Sequence, residues 1–390
     1  MWEKACGKLL AIAPAVLILL FPVHMKALAG DTSKETTVPA VQMLLLSGDV
    51  PKPGPPNIAF VTSLTYDGNL ATLQGGLAGA DKKCHILANA AGLPDNTYRA
   101  WLSTSSVNAI DRLGAARGWV RVDGKPFADT KEDIAAGKIY HPLRVDENGH
   151  YDNTPGGSDV WTGTDSDGTV SSFGTCSDWA NSAGNGNTGD DDGVASVFTS
   201  YGSQSCGNQA RLYCFGVDRN VPVTVNPAAG RVAFISRGFW PVGGGLAGAD
   251  GLCQEEAGSA SLSGTFKALL AANGASAASR FNTSGPAWVR PDGVAIATTA
   301  AALFSADFLN TAINQLADGT YYLGNYGVWT GAASPTTPGT AATTCNSWTV
   351  SNDTLEAWSG VAAFTYQEKF FGKWQTKCNA TWMRLYCLQN

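Results

Sequence analysis

The chain has 390 residues, of which 44% are hydrophobic and 12 are Trp, and its formal charge is -6. That length admits two or three domains with real cores, and the composition excludes a disordered or fibrous protein. Charged residues make up only 15%, against about 25% in an average soluble domain, so the balance reads as a compact core under many loops. No cluster of Lys and Arg is present, which makes nucleic acid a poor partner, because affinity for phosphate backbones comes from clustered cations that release counterions.

Taken in chain order, the first segment carries Lys4 and Lys8, an apolar run from Leu9 to Val23, and the small-x-small triplet Ala27-Leu28-Ala29. This pattern predicts a signal peptide over residues 1–29 and hence a secreted, periplasmic or cell-surface protein. The apolar run is broken by Pro14 and Pro22 and is too short for a comfortable membrane span, so none is expected once the signal is cleaved. Cys6 lies ahead of that run and is expected to be lost with it. Residues 30–57 are polar and end in Pro51, Pro53, Pro55 and Pro56, which reads as an extended tether.

A short apolar strand is expected from Ile58 to Ser63. A Gly-rich turn then leads into a helix in which Leu77, Ala80, Cys84, Leu87 and Ala88 recur at helical spacing until Gly92 and Pro94 stop it. Further strands are expected at Tyr98 to Leu102, Gly118 to Val122, Asp159 to Thr162 and Gln209 to Phe215, each short, aromatic or β-branched and bounded by turn residues. The class is α+β with small sheets and long loops.

Everything from residue 58 onward is then written a second time. Gly76-Leu77-Ala78-Gly79-Ala80-Asp81 answers Gly245-Leu246-Ala247-Gly248-Ala249-Asp250, Trp119-Val120-Arg121 answers Trp288-Val289-Arg290, Val160-Trp161-Thr162-Gly163 answers Val328-Trp329-Thr330-Gly331, and Arg211-Leu212-Tyr213-Cys214 answers Arg384-Leu385-Tyr386-Cys387. Ordered matches at one offset predict two domains, 58–217 and 231–390, with a linker at 218–230. Each is expected to fold on its own.

Eight cysteines follow the signal, four per copy: Cys84, Cys176, Cys206 and Cys214, then Cys253, Cys345, Cys378 and Cys387. An even count in an exported chain points to disulfides. Four cysteines allow three pairings; the first lies on the early helix and the last on the terminal strand, which suggests a nested scheme that spacing alone does not fix. A zinc site is disfavoured because the second copy has no His.

The run Phe60-Val61-Thr62-Ser63, then Gly-Gly-Leu-Ala-Gly-Ala-Asp with Cys three positions on, then Val-Trp-Thr-Gly, Cys-x-x-Trp and a closing Leu-Tyr-Cys resembles the bacterial domain of unknown function 1554. That family includes the leptospiral endostatin-like proteins. The resemblance implies a C-type-lectin-like, endostatin-like fold in each copy, the nested pairing Cys84–Cys214, Cys176–Cys206, Cys253–Cys387 and Cys345–Cys378, and surface proteins that bind extracellular partners.

Catalytic chemistry is hard to find. Gly243-x-Gly245-x-x-Gly248 matches a dinucleotide fingerprint, but the first copy has Gln74 where Gly243 stands, and a tight turn into a helix explains it. His85, His141 and His150 have no counterparts in the second copy, so no catalytic residue is assigned and the protein is expected not to be an enzyme. No cofactor is assigned either. Calcium is weighed because Asp165, Asp167, Asp190, Asp191 and Asp192 offer oxygen ligands, against simple solvation of an acidic loop. The usual sugar-binding triplets of C-type lectins are absent, and Trp374-Gln375-Thr376 and Gly202-Ser203-Gln204 stand where Trp-Asn-Asp would. The repeated Trp119, Trp161, Trp179, Trp288, Trp329 and Trp348 read as core.

The loops between second and third cysteines are where the copies diverge. In the second copy this loop carries Trp358, Tyr366, Phe370, Phe371 and Trp374, with Lys369 and Lys373 beside them. These aromatics are the candidate ligand-binding residues, with inward packing as the alternative. The expected function is exported binding or adhesion toward an extracellular protein or glycan, ahead of a structural envelope or matrix role and a secreted hydrolase.

Overall fold

A computed structural model describes residues 54–390 except 72, 74, 95, 96, 325 and 326; the expected signal peptide and most of the tether lie outside the described residues. Strand β1 (Asn57–Val61) is buried along nearly its whole length, as its apolar sequence requires of a strand covered on both faces. The helix α1 (Gly76–Ala90) turns Gly76, Gly79, Ala80, Cys84 and Ala88 inward. This small-residue face is what allows close approach. A Cβ on Gly76 would sit 2.2 Å from the Asp178 carbonyl oxygen.

The strands β2 (Tyr98–Ala100), β3 (Trp119–Arg121), β4 (Pro126–Ala128), β5 (Asp159–Trp161), β6 (Asn185–Asp190), β7 (Gly202–Ser205) and β8 (Arg211–Gly216) complete the first copy. They form one sheet in the order β4-β3-β1-β8-β5-β6-β7, with β2 also on β8. First and last strands of the copy therefore lie antiparallel, Phe60 opposite Cys214. The second copy repeats this with β9 (Arg231–Ile235), α2 (Gly245–Ser259), β10 (Phe266–Ala268), β11 (Trp288–Val289), β12 (Gly327–Trp329), β13 (Glu356–Val361), β14 (Trp374–Lys377) and β15 (Tyr386–Gln389). Its sheets run β10-β15-β9-β11 and β12-β13-β14. An isolated parallel bridge, Val328 to Arg384, joins the two among the described residues.

The disulfides are Cys84–Cys214, Cys176–Cys206, Cys253–Cys387 and Cys345–Cys378. All six repeated Trp side chains are fully buried. Each Trp removes roughly 150–250 Å² from water, which makes them the largest single contributors to their cores. At the second cysteine of each copy the chain makes a left-handed turn, with φ of 51, 53, 59 and 65° at Cys176–Trp179 and 50, 53, 54 and 68° at Cys345–Trp348. Three restraints hold it: the disulfide, a threonine cap in which Thr175 Oγ1 accepts from Asp178 N and Thr344 Oγ1 from Ser347 N, and the indole of the closing Trp. Trp179 Nε1 donates to Ser103 O at 2.7 Å and Trp348 Nε1 to Ala271 O at 2.8 Å.

The repeated charged residues are clamps. Asp81 accepts from Arg112 at 2.6 Å and from Ala100 N, tying α1 to β2; Asp250 does the same with Arg280 and Ala268 N. Arg121 and Arg290, buried to 1% and 0% exposure, each bind the Asp two residues on, Asp123 and Asp292. Burial works against the Asp123 carboxylate, yet its hydrogen bond and charge contact with Arg121 hold it down at about 2.

The two copies pack against each other. Smaller cores belong to one copy each, around Phe60 and Trp161 or Phe234 and Trp329. The principal core is continuous across both, with Phe198, Tyr213 and Phe215 in the same cluster as Phe304, Phe364 and Phe370. The described residues from 54 to 390 belong to one compact unit. The linker is docked too: Val223 N donates to Asp129 Oδ1 at 2.8 Å in the first copy and Ala228 N to Gly293 O at 2.9 Å in the second.

Candidate functional site: the junction between the copies

Gly189 and Gly360 occupy equal register positions, opposite Val160 and Val328. Counting onward, Asp192 is equivalent to Ala363, Gly193 to Phe364 and Val194 to Thr365. These equivalent segments meet each other. Gly193 and Phe364 form an antiparallel bridge, Val194 N donates to Ala363 O at 2.8 Å and Thr365 N to Asp192 O at 3.1 Å. The junction is thus a pseudo-two-fold contact, the intramolecular analogue of an isologous dimer interface.

Its chemistry is asymmetric. The first copy brings Asp190, Asp191 and Asp192 where the second has Val361, Ala362 and Ala363, and all three carboxyl groups are buried at 2%, 0% and 0% exposure. Lys369 binds Asp190 and reaches Asp192 Oδ1 at 3.3 Å, while Tyr366 N donates to Asp192 Oδ2 at 3.0 Å. Burial, reinforced by the Asp192 charge, pushes Asp190 well above the usual carboxylate range. Burial and then Asp152 do the same to Asp191. At Lys369 burial opposes the charge, but Asp190 and Asp192 outweigh it and raise the amine.

Beside this lock lies a cleft of about 410 Å³ lined by Lys125, Arg144, Tyr151 and Asn153 of the first copy and Phe308 and Asn310 of the second, among others. Arg144 is 4% exposed, and its guanidinium stacks 3.4 Å from the Phe308 ring centroid. Its Nε is buried without a hydrogen-bond partner among the described residues. Tyr151 is 40% exposed, accepts from Lys125 Nζ at 3.3 Å and from Arg121 at 2.9 Å, and donates to Asp123 at 2.6 Å. The cleft therefore presents cations, amides and two aromatic rings beside one carboxylate, Asp307, a set in which the cations outnumber the acid and that suits a polar ligand with an acidic group.

The five aromatic candidates separate. Phe370 and Phe371 are 1% and 0% exposed and belong to the continuous core, so they are not surface anchors; Phe370 O accepts from the buried Tyr386 hydroxyl at 2.9 Å. Trp358 and Tyr366 are half-buried, Tyr366 packing on Phe308 with centroids 4.9 Å apart. Trp374 alone is exposed, at 40%, with Lys373 Nζ 5.0 Å over its ring. Lys373 also donates to Tyr201 OH across the junction at 2.9 Å. Burial, then the nearby Lys369 charge, lowers its amine to about 8.

The acidic residues weighed for calcium are not one group. Asp167 caps an exposed turn through Thr169, while Asp190 and Asp192 are buried and engaged by Lys369 and the buried Asp191 accepts from Ser158 N. Among the described residues no group of three or more His, Cys, Asp or Glu side chains converges as a metal site. The Gly243-x-Gly245-x-x-Gly248 run opens α2, with Gly243 and Gly245 at φ 142 and 62°. Sequence reasoning missed the junction cleft. The neighbouring Lys369–Asp190 contact did leave a signal, an acidic triplet in one copy aligned with the apolar Val361-Ala362-Ala363 of the other.

Residues 241–365 match the model of a family described as a protein of unknown function, DUF1554. No curated protein matches the chain. Among the described residues, no helix is long and apolar enough to cross a membrane.

Proposed function

We propose that both copies, the unmatched first as well as the second that carries the DUF1554 match, are lectin-like domains of an exported, non-catalytic binding protein, and that the cleft between them receives an extracellular glycan or protein bearing an acidic group. The tandem lectin-like reading draws support from features shared by the copies: a first strand paired antiparallel with the last, an early helix stapled to that last strand, and a second disulfide closing the loop beyond it. The observation that carries the functional reading is the cleft itself. It is built by both copies and lies within the size range of ligand sites, with Lys125 and Tyr151 on one wall and Phe308 and Asn310 on the other.

The test is an array of acidic and neutral glycans and of extracellular proteins, probed with the full chain and with Lys125→Ala and Asn310→Ala, one change per wall. Retention of an acidic ligand by the full chain and a loss of roughly tenfold or more in either variant is expected, the scale of one charged or polar contact. Undiminished binding in both folded variants would remove the cleft from the reading. A chain that captures nothing would favour a structural envelope or matrix role.

A further inference from the structure

We infer that the Lys369 amine and the Asp190 carboxyl condense into an isopeptide bond that joins the second copy covalently to the first, with Asp192 as the proton-handling partner.

Position comes first. Lys369 Nζ contacts the Asp190 carboxyl directly and stands 3.3 Å from Asp192 Oδ1, so amine, target carbon and a second carboxyl share one site. The Asp190 carboxyl is also polarised from the other side, because its Oδ1 accepts from Asp192 N at 3.2 Å. Water is kept out on several sides. The Phe364 ring centroid is 4.5 Å and the Tyr201 centroid 5.3 Å from Lys369 Nζ. Gly156 and Gly157 close over the carboxyls so tightly that a Cβ on Gly157 would lie 2.5 Å from Asp190 Oδ1, and one on Gly156 would meet Lys369 Cε at 3.8 Å. Positive φ at both glycines, 85 and 70°, makes that close cover available.

The proton inventory is right for condensation. An ammonium with one carboxylate and one carboxylic acid holds the same protons as a free amine with two carboxylic acids. The charged arrangement is the resting one, and exclusion of water narrows its advantage. In the neutral arrangement, formed when Lys369 passes a proton to Asp192, the amine lone pair attacks Asp190 Cγ. Asp192 gives its proton to the departing oxygen and takes one from the attacking nitrogen, the Cγ–O bond breaks, and one water leaves as the neutral amide forms. No oxidant, metal or nucleotide is consumed. Holding the reacting groups in contact replaces the activation that such an amide would otherwise need.

Peptide mapping of the purified full chain, reduced, alkylated and digested with trypsin, tests the inference. Expected is one species in which the peptide containing Asp190 is joined to that containing Lys369, lighter than their sum by one water, with no cleavage after Lys369. Lys369→Arg should abolish it. Asp192→Asn should reduce it at least tenfold, as removal of a proton-transfer group does. Two results would overturn the inference: cleavage and acetylation at Lys369 in the folded wild-type chain, or a water loss confined to the Asp192–Gly193 peptide, which is succinimide formation. The wild-type digest decides the matter even if a variant fails to fold.

Discussion

His141 sits against the linker with its Nδ1 2.9 Å from the Pro126 carbonyl oxygen, and it faces Arg121, Arg290 and Lys125. Burial, followed by the Arg121 charge, lowers its ring from the ordinary 6.5 to about 3. Between those values the unfolded chain binds a proton that the folded chain refuses, so stability falls as pH drops through this window, by up to about 1.4 kcal/mol per pH unit. His141→Gln is expected to flatten that slope in urea titrations at pH 4 and 6; an unchanged slope would reassign the acid sensitivity. Lys373 has the same sign in a higher window. Its amine lies at about 8 against 10.5, so between these values stability rises with pH, and Lys373→Met should abolish the rise. The sequence showed both residues but neither shift, because each arises from burial by chain more than a hundred residues away or from the neighbouring copy.

At the scale of elements, the left-handed turns at Cys176–Trp179 and Cys345–Trp348 place four consecutive side chains where L-residues are disfavoured, at about 1–2 kcal/mol each. Ser177 is exposed at φ 53°, and glycine fits that conformation without penalty. Ser177→Gly is therefore expected to stabilise the protein by roughly 0.5–1 kcal/mol in chemical denaturation, against the usual cost of an added glycine. Thr344→Val should lose about 1 kcal/mol by removing the cap on Ser347 N. If both changes proved neutral, the disulfide and the Trp indole would be holding the turn unaided. Strand and helix positions were legible because alternating and helical apolar spacings are local properties. The turns were not: Cys-x-x-Trp carries no glycine, and positive φ there is held by the disulfide, the threonine cap and the indole contact together.

For the whole molecule, the pseudo-two-fold junction alters what the repeat means. Residues 231–390 alone would expose Phe364 and the edge at Ala363–Thr365, surfaces that the first copy now covers. That fragment is expected to unfold at lower temperature than the full chain and to self-associate through the exposed edge, read as concentration-dependent sedimentation. Phe364→Asp within the fragment should restore monomers. A fragment that is monomeric and as stable as the full chain would show that the continuous core contributes little.

Sequence by itself determined the repeat, the α+β class, the cysteine count and the burial of the paired Trp residues, because each of these is fixed by periodicity or by composition within one copy. Tertiary structure alone decided that the copies share a core, that Phe370 and Phe371 face inward while Trp374 remains outside, and that an acidic loop is a buried partner for Lys369. The physical reason is that complementarity between two surfaces depends on which segments are brought opposite each other. Asp190–Asp192 and Val361–Ala363 are unremarkable apart, and acquire their chemistry only when the chain folds one against the other.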